Sequence, residues 1–371
     1  MGIEPEPGSI RKLSMTDLFQ PLSFISGAVS KNRFMLAPLT NLQSHDDGRL
    51  SDDEYHWLTL RARGGFGLTM TCASHVQAHG KGFPGQLGCF SDDHLDGLTR
   101  LATGIKAEKS LAVLQLHHAG MRSPQDEIGG QPVCPSNNEE TGARALTGDE
   151  IEQLKEDFVA AAERAEKSGF DGVELHGAHG YILCQFLSPT INQRTDQYGG
   201  SLENRARIIF DIIDGIRRRC APGFLLGVRL SPERFDLRLG DILQVAQRLM
   251  SEGKIDFLDM SLWDSFKEPA EEAYQGRTLL SYFTDLERGE VRLGTAGKIG
   301  TPQDARRCLD AGVDFVILGR AAILHHDFPQ QVFDNPDFEP VTLPVTRDYL
   351  RSQGLGEAFL TYMAGWKGFV K

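Results

Sequence analysis

No stretch of the 371-residue sequence approaches the roughly 20 consecutive apolar residues that a membrane-crossing helix needs. The first residues, MGIEPEPGSIRK, carry no apolar signal segment. A cytoplasmic protein with no membrane partner is the expectation. The 6 cysteines (Cys72, Cys89, Cys134, Cys184, Cys220, Cys308) form no CxxC pair and no metal-type cluster. Iron–sulfur clusters need closely spaced thiolates, so buried free thiols in a reducing compartment are expected instead. Positive charge is in deficit, with 39 Lys and Arg against 51 Asp and Glu, a formal net charge of -12. Such a surface repels nucleic acid and anionic membrane, while local positive sites for phosphates stay open. No long linker or low-complexity segment interrupts the chain. No GxGxxG opens its first strand-to-helix turn, which weighs against an open, doubly wound dinucleotide-binding sheet.

What the sequence does contain is an alternation of short apolar runs and amphipathic segments. Strands are expected at 33–37 (RFMLA), 68–73 (LTMTCA), 111–116 (LAVLQL), 172–176 (GVELH), 225–230 (LLGVRL), 256–261 (DFLDMS), 291–296 (VRLGTA) and 314–318 (DFVIL). Several are near-continuously apolar, as strands buried on both faces must be. A helix is expected over 148–168, where Thr147 and Glu150 match a capping box and Gly169 provides a stop. Another starts at Thr301-Pro302, a cap followed by the proline favoured at the first helical position. Further helices are expected near 52–63, 92–108, 202–219, 241–252, 276–288 and 321–326. Eight strands alternating with eight helices read as an α/β chain folded into one (β/α)8 TIM barrel.

Chemistry in such barrels sits at the C-terminal strand ends. Reading those ends as one rim collects Ala37-Pro38-Leu39-Thr40 after the first strand, Ala73 after the second and Gln115 in the third. The fourth contributes His176, His179 and Tyr181, the fifth Arg229, the seventh Gly297 and the eighth Gly319-Arg320. Glycine lets backbone N–H groups approach a phosphate and Arg can grip its oxygens, although tight turns alone also use glycine. Gln115 offers the donor and acceptor that a pyrimidine-like edge needs, or a purely structural amide. A buried Arg229 requires a negative partner, either a nearby carboxylate or a bound ring that becomes anionic on reduction. The HxxH spacing of His176 and His179 fits either a metal pair or two N–H donors on a substrate oxygen. Tyr181, protonated at neutral pH, can serve as an acid or as a packed aromatic.

The segment VELHGAHGYILCQFLSPTINQRTDQYGGSLENRARIIFDIIDGIR, Val173 to Arg217, resembles the old yellow enzyme family of NADH:flavin oxidoreductases. RTDQYGGSLENR within it is highly specific to that family, and NRFMLAPLT, LQLHHAG, VRLSP and ILGRA extend the resemblance from about Leu18 to about Phe328. It implies one FMN-binding barrel domain over 1–371, with its core at about 18–328 and a C-terminal extension at about 340–371. It implies tightly held, non-covalent FMN, with Ala37, Pro38, Leu39 and Thr40 along the ring, the Thr40 hydroxyl near O4 and N5, and Ala73 packing nearby. Gln115 would bond the pyrimidine edge, Arg229 would face N1 and O2, and Gly297, Gly319 and Arg320 would hold the phosphate. His176 and His179 would bind the oxygen of an electron-withdrawing group, and Tyr181 would protonate the substrate. Leu42 and Phe90 depart from side chains common elsewhere in the family, so the substrate pocket is less defined than the flavin seat.

The activity so implied is that of an ene-reductase. Hydride passes from NAD(P)H to FMN and then, in a ping-pong scheme, to the β carbon of an α,β-unsaturated carbonyl or nitro compound. Two rivals remain at the level of sequence: a metal-dependent hydrolase or lyase using His176 and His179, and a non-catalytic flavin-binding protein. A homo-oligomer is compatible with the sequence.

Overall fold

The computed structural model of the protein describes residues 15–371; the stretch expected to lack a signal segment lies outside the described residues. Eight parallel strands close a barrel in chain order. They are β1 (Phe34–Leu36), β2 (Leu68–His75), β3 (Leu111–His117), β4 (Gly172–Gly177), β5 (Leu225–Leu230), β6 (Phe257–Ser261), β7 (Arg292–Ala296) and β8 (Phe315–Leu318). The ring closes where β8 meets β1, with Val316 opposite Phe34 and Leu318 opposite Leu36. This is the (β/α)8 TIM barrel that the alternation predicts, and each strand lies where an apolar run is found. A register shift in β2 between Met70 and Ala73 brings Ala73 opposite Gln115.

Period-two alternation divides each strand between two cores. Outward residues such as Phe34, Leu36, Leu114, Leu116, Val173 and Leu175 join the shell of helices. Inward residues Met35, Leu68, Met70, Val113, Leu225, Phe257, Phe315 and Ile317 fill the barrel. The N-terminal hairpin, Leu22–Ser23 paired with Val29–Ser30, plugs the bottom with Leu22 and Phe24. The Phe24 ring stands 6.0 Å from that of Phe257. Removing a large buried apolar side chain from water contributes about 1.5–3 kcal/mol, so this double core carries much of the stability. No helix among the described residues is long and apolar enough to cross a membrane.

Helix Gly148–Lys167 carries the Thr147–Glu150 capping box in full, and Gly169 follows it in the left-handed conformation at φ 86. Pro302–Asp310 is closed the same way by Thr301 and Asp304. The helix expected over 276–288 is shorter, Leu279–Thr284. Only Leu279, Leu280 and Phe283 are buried there, one short apolar face with nothing beyond to extend it. Three C-terminal helices were not anticipated: Phe328–Asp334, Arg347–Ser352 and Glu357–Ala364. The last lies on helix Asp52–Arg63, its Phe359 ring 4.9 Å from Trp57. All six cysteines are free and buried.

Two strand glycines exist because rings occupy their side-chain space. A Cβ on Gly294 would lie 2.0 Å from the Phe315 ring, and one on Gly227 would lie 2.2 Å from Phe257. Gly294→Ala is therefore expected to lower stability by about 1–3 kcal/mol through overpacking. Adding Phe315→Leu should recover part of that loss, because the two sites couple. Denaturant midpoints of the single and double variants provide the check; strictly additive losses would contradict the packing account.

Candidate active site

The inward positions turn from apolar to polar on approaching the C-terminal ends of β3 to β6. Val113 gives way to Gln115 and His117, Gly172 to Glu174 and His176, Gly227 to Arg229, and Phe257 to Asp259 and Ser261. Strand register makes neighbours of Gln115 and Glu174, and of Arg229 and Asp259. Gln115 Nε2 donates to Glu174 Oε1 at 2.7 Å, and Arg229 Nε lies 3.0 Å from Asp259 Oδ2. Asp259 is thus the negative partner that a buried Arg229 requires. Burial raises Glu174 well above the carboxylate range, reinforced by the Asp259 charge, and pushes Asp259 up to about 6 against the pull of Arg229. Three of the four carboxyl oxygens here, Glu174 Oε2 and both of Asp259, find no hydrogen-bond donor.

Above this floor opens a cavity of about 710 Å³. Its lining includes Ala37, Pro38 and Leu39 after β1, His179 after β4, Arg229 on β5, Gly297 after β7 and Gly319-Arg320 after β8. Gln115 and Ala73, paired across β2 and β3, stand outside its lining. Thr40 is half-buried in the loop after β1 and does not reach the cavity wall. That loop is tied down at Asn41, whose amide donates to the fully buried Glu54 at 3.2 Å.

The seventh and eighth strand ends form a glycine-backed cradle. A Cβ on Gly297 would stand 2.9 Å from the Ser265 backbone nitrogen, so the chain comes closer there than any side chain would allow. Arg320 is exposed on the cavity rim, and among the described residues no carboxylate pairs with it. A buried guanidinium at one end, an amide below and an unpaired Arg beside bare backbone at the other match a flat ring with a phosphate tail.

His176, His179 and Tyr181 cluster at the end of β4, and of the three His179 lines the cavity. His179 adopts φ 61 and is followed by Gly180 at φ 72, a left-handed pair that turns the chain sharply. A side chain at 180 would press on Phe235, its Cβ 2.9 Å from the ring. His176 Nδ1 accepts from the Ala178 N–H at 3.3 Å, which leaves its proton on Nε2, 3.3 Å from His179 Nδ1. His179 Nε2 then donates to Ser261 Oγ at 2.8 Å. Burial lowers both imidazoles well below their ordinary range, so both are neutral donors at pH 7. The Tyr181 ring stands edge-on to His176 at 5.0 Å and to His117 at 4.3 Å. Burial raises its hydroxyl above the ordinary value, against the opposing Arg122 cation 4.8 Å over the ring. Among the described residues, no three His, Cys, Asp or Glu side chains are placed to share a metal ion.

Asp259, His117, Arg122, Ser261, Trp263 and Trp366 also belong to the site, although no sequence motif marks them. Asp259 and Ser261 were within reach, since they share the inward face of their strand with Phe257. His117 follows Gln115 at the same spacing. Trp263 and Trp366 line the cavity from a loop and from the C-terminal tail, where no periodic signal exists.

A sequence profile of the NADH:flavin oxidoreductase / NADH oxidase family matches residues 17–336. The chain is 34% identical over 326 residues to a probable NADH-dependent flavin oxidoreductase, YqiG, of Bacillus subtilis, spanning 85% of this chain and 87% of that protein. Its fold superimposes on an old yellow enzyme homologue from Zymomonas mobilis with a TM-score of 0.78 at 27% identity, covering 93% and 99% of the two chains. A morphinone reductase mutant solved in complex with tetrahydroNAD matches with a TM-score of 0.76 at 27% identity, covering 93% and 96%.

The buried imidazoles set the acid limit of the fold. Burial lowers His117, His118, His176 and His179 well below 6.5, lowers His94, and lowers His75 to about 4. The unfolded chain binds protons near 6.5 that the folded chain refuses. Stability present above that value is therefore lost as pH falls towards the folded values, at about 1.4 kcal/mol per pH unit for each group. Thermal melting should drop steeply from about pH 7 to pH 5. His94→Leu, which removes an imidazole with neither nitrogen partnered, should flatten that slope by about one proton. A melting temperature that stays level over this range would refute the account.

Proposed function

Because the chain belongs to the NADH:flavin oxidoreductase / NADH oxidase family, the old yellow enzyme group, and is an NAD(P)H-dependent flavin oxidoreductase, we propose that it seats FMN at the barrel mouth and reduces electron-poor alkenes. The observation that carries this reading is one cavity in which Arg229, His179 and the Gly297, Gly319 and Arg320 cradle meet at the C-terminal strand ends. When bound there, FMN supplies the hydride chemistry, accepting from NAD(P)H and delivering to the β carbon of an α,β-unsaturated carbonyl or nitro compound.

The protein residues divide the remaining tasks. Gly297, Gly319 and Arg320 hold the phosphate, Gln115 bonds the pyrimidine edge, and Arg229 holds charge at the ring's N1 and O2 side. Ala37, Pro38 and Leu39 form the surface against which the ring lies, backed by Thr40 and Ala73. His176 and His179 keep one N–H each and direct them to the substrate oxygen. For His179 this means exchanging Ser261 for the ligand, and for His176 exchanging His179. Donors of this kind act on charge that builds in the transition state and lower the barrier by a few kcal/mol. Tyr181 keeps its proton until the α carbon requires it. The whole chain forms one FMN-binding unit, its core at about 18–328, and the tail from about 340 completes the pocket through Pro340, Val341, Leu343 and Trp366.

Purified protein should be yellow, bleach on anaerobic addition of NADPH or NADH, and regain colour on addition of a cyclic enone. A colourless protein, or colour that returns only with oxygen, contradicts the assignment. Tyr181→Phe should leave bleaching fast and slow alkene-driven reoxidation by about 10²–10⁴-fold; equal slowing of both steps would exclude the proton-donor role. His176→Ala should stay yellow and bind phenols about tenfold more weakly, as loss of one charge-assisted hydrogen bond requires. Unchanged phenol affinity would exclude the anchor role.

A further inference from the structure

Beneath the cavity lies a group of charges of which the proposed reaction uses Arg229 alone. Arg229, Glu174 and Asp259 come from three adjacent strands, with Arg229 4% exposed and both acids at 0%. One cation faces two carboxyl groups, so full ionisation leaves a net negative charge sealed inside the barrel. Glu174 receives a single hydrogen bond, from Gln115, and Asp259 receives none of good geometry, its contact with Arg229 being ionic alone. A buried carboxylate without donors is costly, whereas a carboxyl group that has taken a proton is not. The groups that face this pair are Arg229 from β5, Gln115 from β3, and His176 and His179 at and beyond the end of β4. Both imidazoles are neutral, and the facing position on β7 is Gly294. Among the described residues, Arg229 is therefore the only charge that opposes the two acids from the elements packed around them. It also lines the cavity, so it is shared between the floor and whatever binds above.

Resting on the FMN reading above, we propose that Glu174 and Asp259 act as a proton store for the flavin seat. They bind one extra proton when the seat turns negative and release it when the seat returns to neutral. The balance closes. A hydride leaves the C–H bond of NAD(P)H with two electrons and one proton, NAD(P)⁺ departs, and the seat gains one negative charge. Arg229 is drawn upward, its hold on Asp259 weakens, and a carboxyl O–H forms with a proton from solvent. When the hydride passes to the β carbon of the substrate, that O–H breaks and the proton returns to solvent. The sealed site thus never carries an extra buried charge, which a medium of low dielectric would penalise heavily. Burial already holds both acids above the ordinary carboxylate range, Asp259 at about 6.

The test is a potentiometric titration of the yellow holoenzyme across the neutral pH range. Two protons per two electrons are expected, a slope of about 59 mV per pH unit, against about 30 mV for one proton. The absorbance of the reduced form should stay constant over that range, because the second proton lies on the protein and not on the ring. Combined Glu174→Gln and Asp259→Asn should return the slope to one proton. Should that variant fail to fold, the wild-type infrared difference spectrum, reduced minus oxidised, must show a new protonated carboxyl band. A wild-type slope of one proton, a second proton that changes the ring spectrum, or no carboxyl band each overturns the proposal while leaving FMN binding intact. A colourless protein would instead overturn the reading on which it rests.

Discussion

A guanidinium sealed inside a protein cannot stand alone, and the upper half of this barrel is organised around that constraint. Arg229 projects from β5 into a space that becomes fully apolar only a few residues lower. Its charge requires Asp259 beside it on β6, and Asp259 in turn burdens Glu174 on β4. Gln115 then orients on Glu174. Four strands are thereby bound into one electrostatic unit, and its side open to the cavity is cationic. Replacing Arg229 alone would strand two acids, and replacing Asp259 alone would strand the cation. Such coupled groups hold a geometry firmly because no member can leave singly.

The same logic separates what the sequence shows from what it hides. All eight strands were legible because strands buried on both faces are apolar throughout, and such runs recur between helices whose caps are explicit at Thr147–Glu150 and Thr301. The fourth segment was legible because its HGAHGY turn follows a strand end and its RTDQYGGSLENR stretch carries the family resemblance. Asp259 was not read as part of the site because DFLDMS looks like any strand with a polar residue near its end. Only the registration of β5 against β6, across some thirty residues of helix and loop, turns that aspartate into the partner of Arg229. Pairings of this kind are properties of the closed barrel and not of any local window.

His179 shows a local conformation serving a distant purpose. A histidine in the left-handed region costs free energy, on the order of 1–3 kcal/mol. The cost is met by the Ser231 hydroxyl, which accepts from its backbone N–H at 3.0 Å, and by Arg122, which donates to its carbonyl. In return the turn sets the imidazole between His176 and Ser261 and brings Tyr181 against both His176 and His117. Asparagine tolerates this backbone region better than most residues, so the presence of histidine means that its ring nitrogens, not its backbone preference, decide the position.

The C-terminal tail gives the pocket an independent wall. Leu343 and Trp366 line the cavity, yet they belong to a segment that contributes no barrel strand and is anchored through Phe359 on Trp57 and through the Gly356 N–H on Gln43. Changes in tail length or in its aromatic residues can therefore reshape the entrance without shifting a single strand pairing below. Diversification of which molecules are admitted is in this way uncoupled from preservation of the chemistry. Directed evolution of altered selectivity has a natural starting library in the last thirty residues, where a failed variant forfeits a wall and not the scaffold.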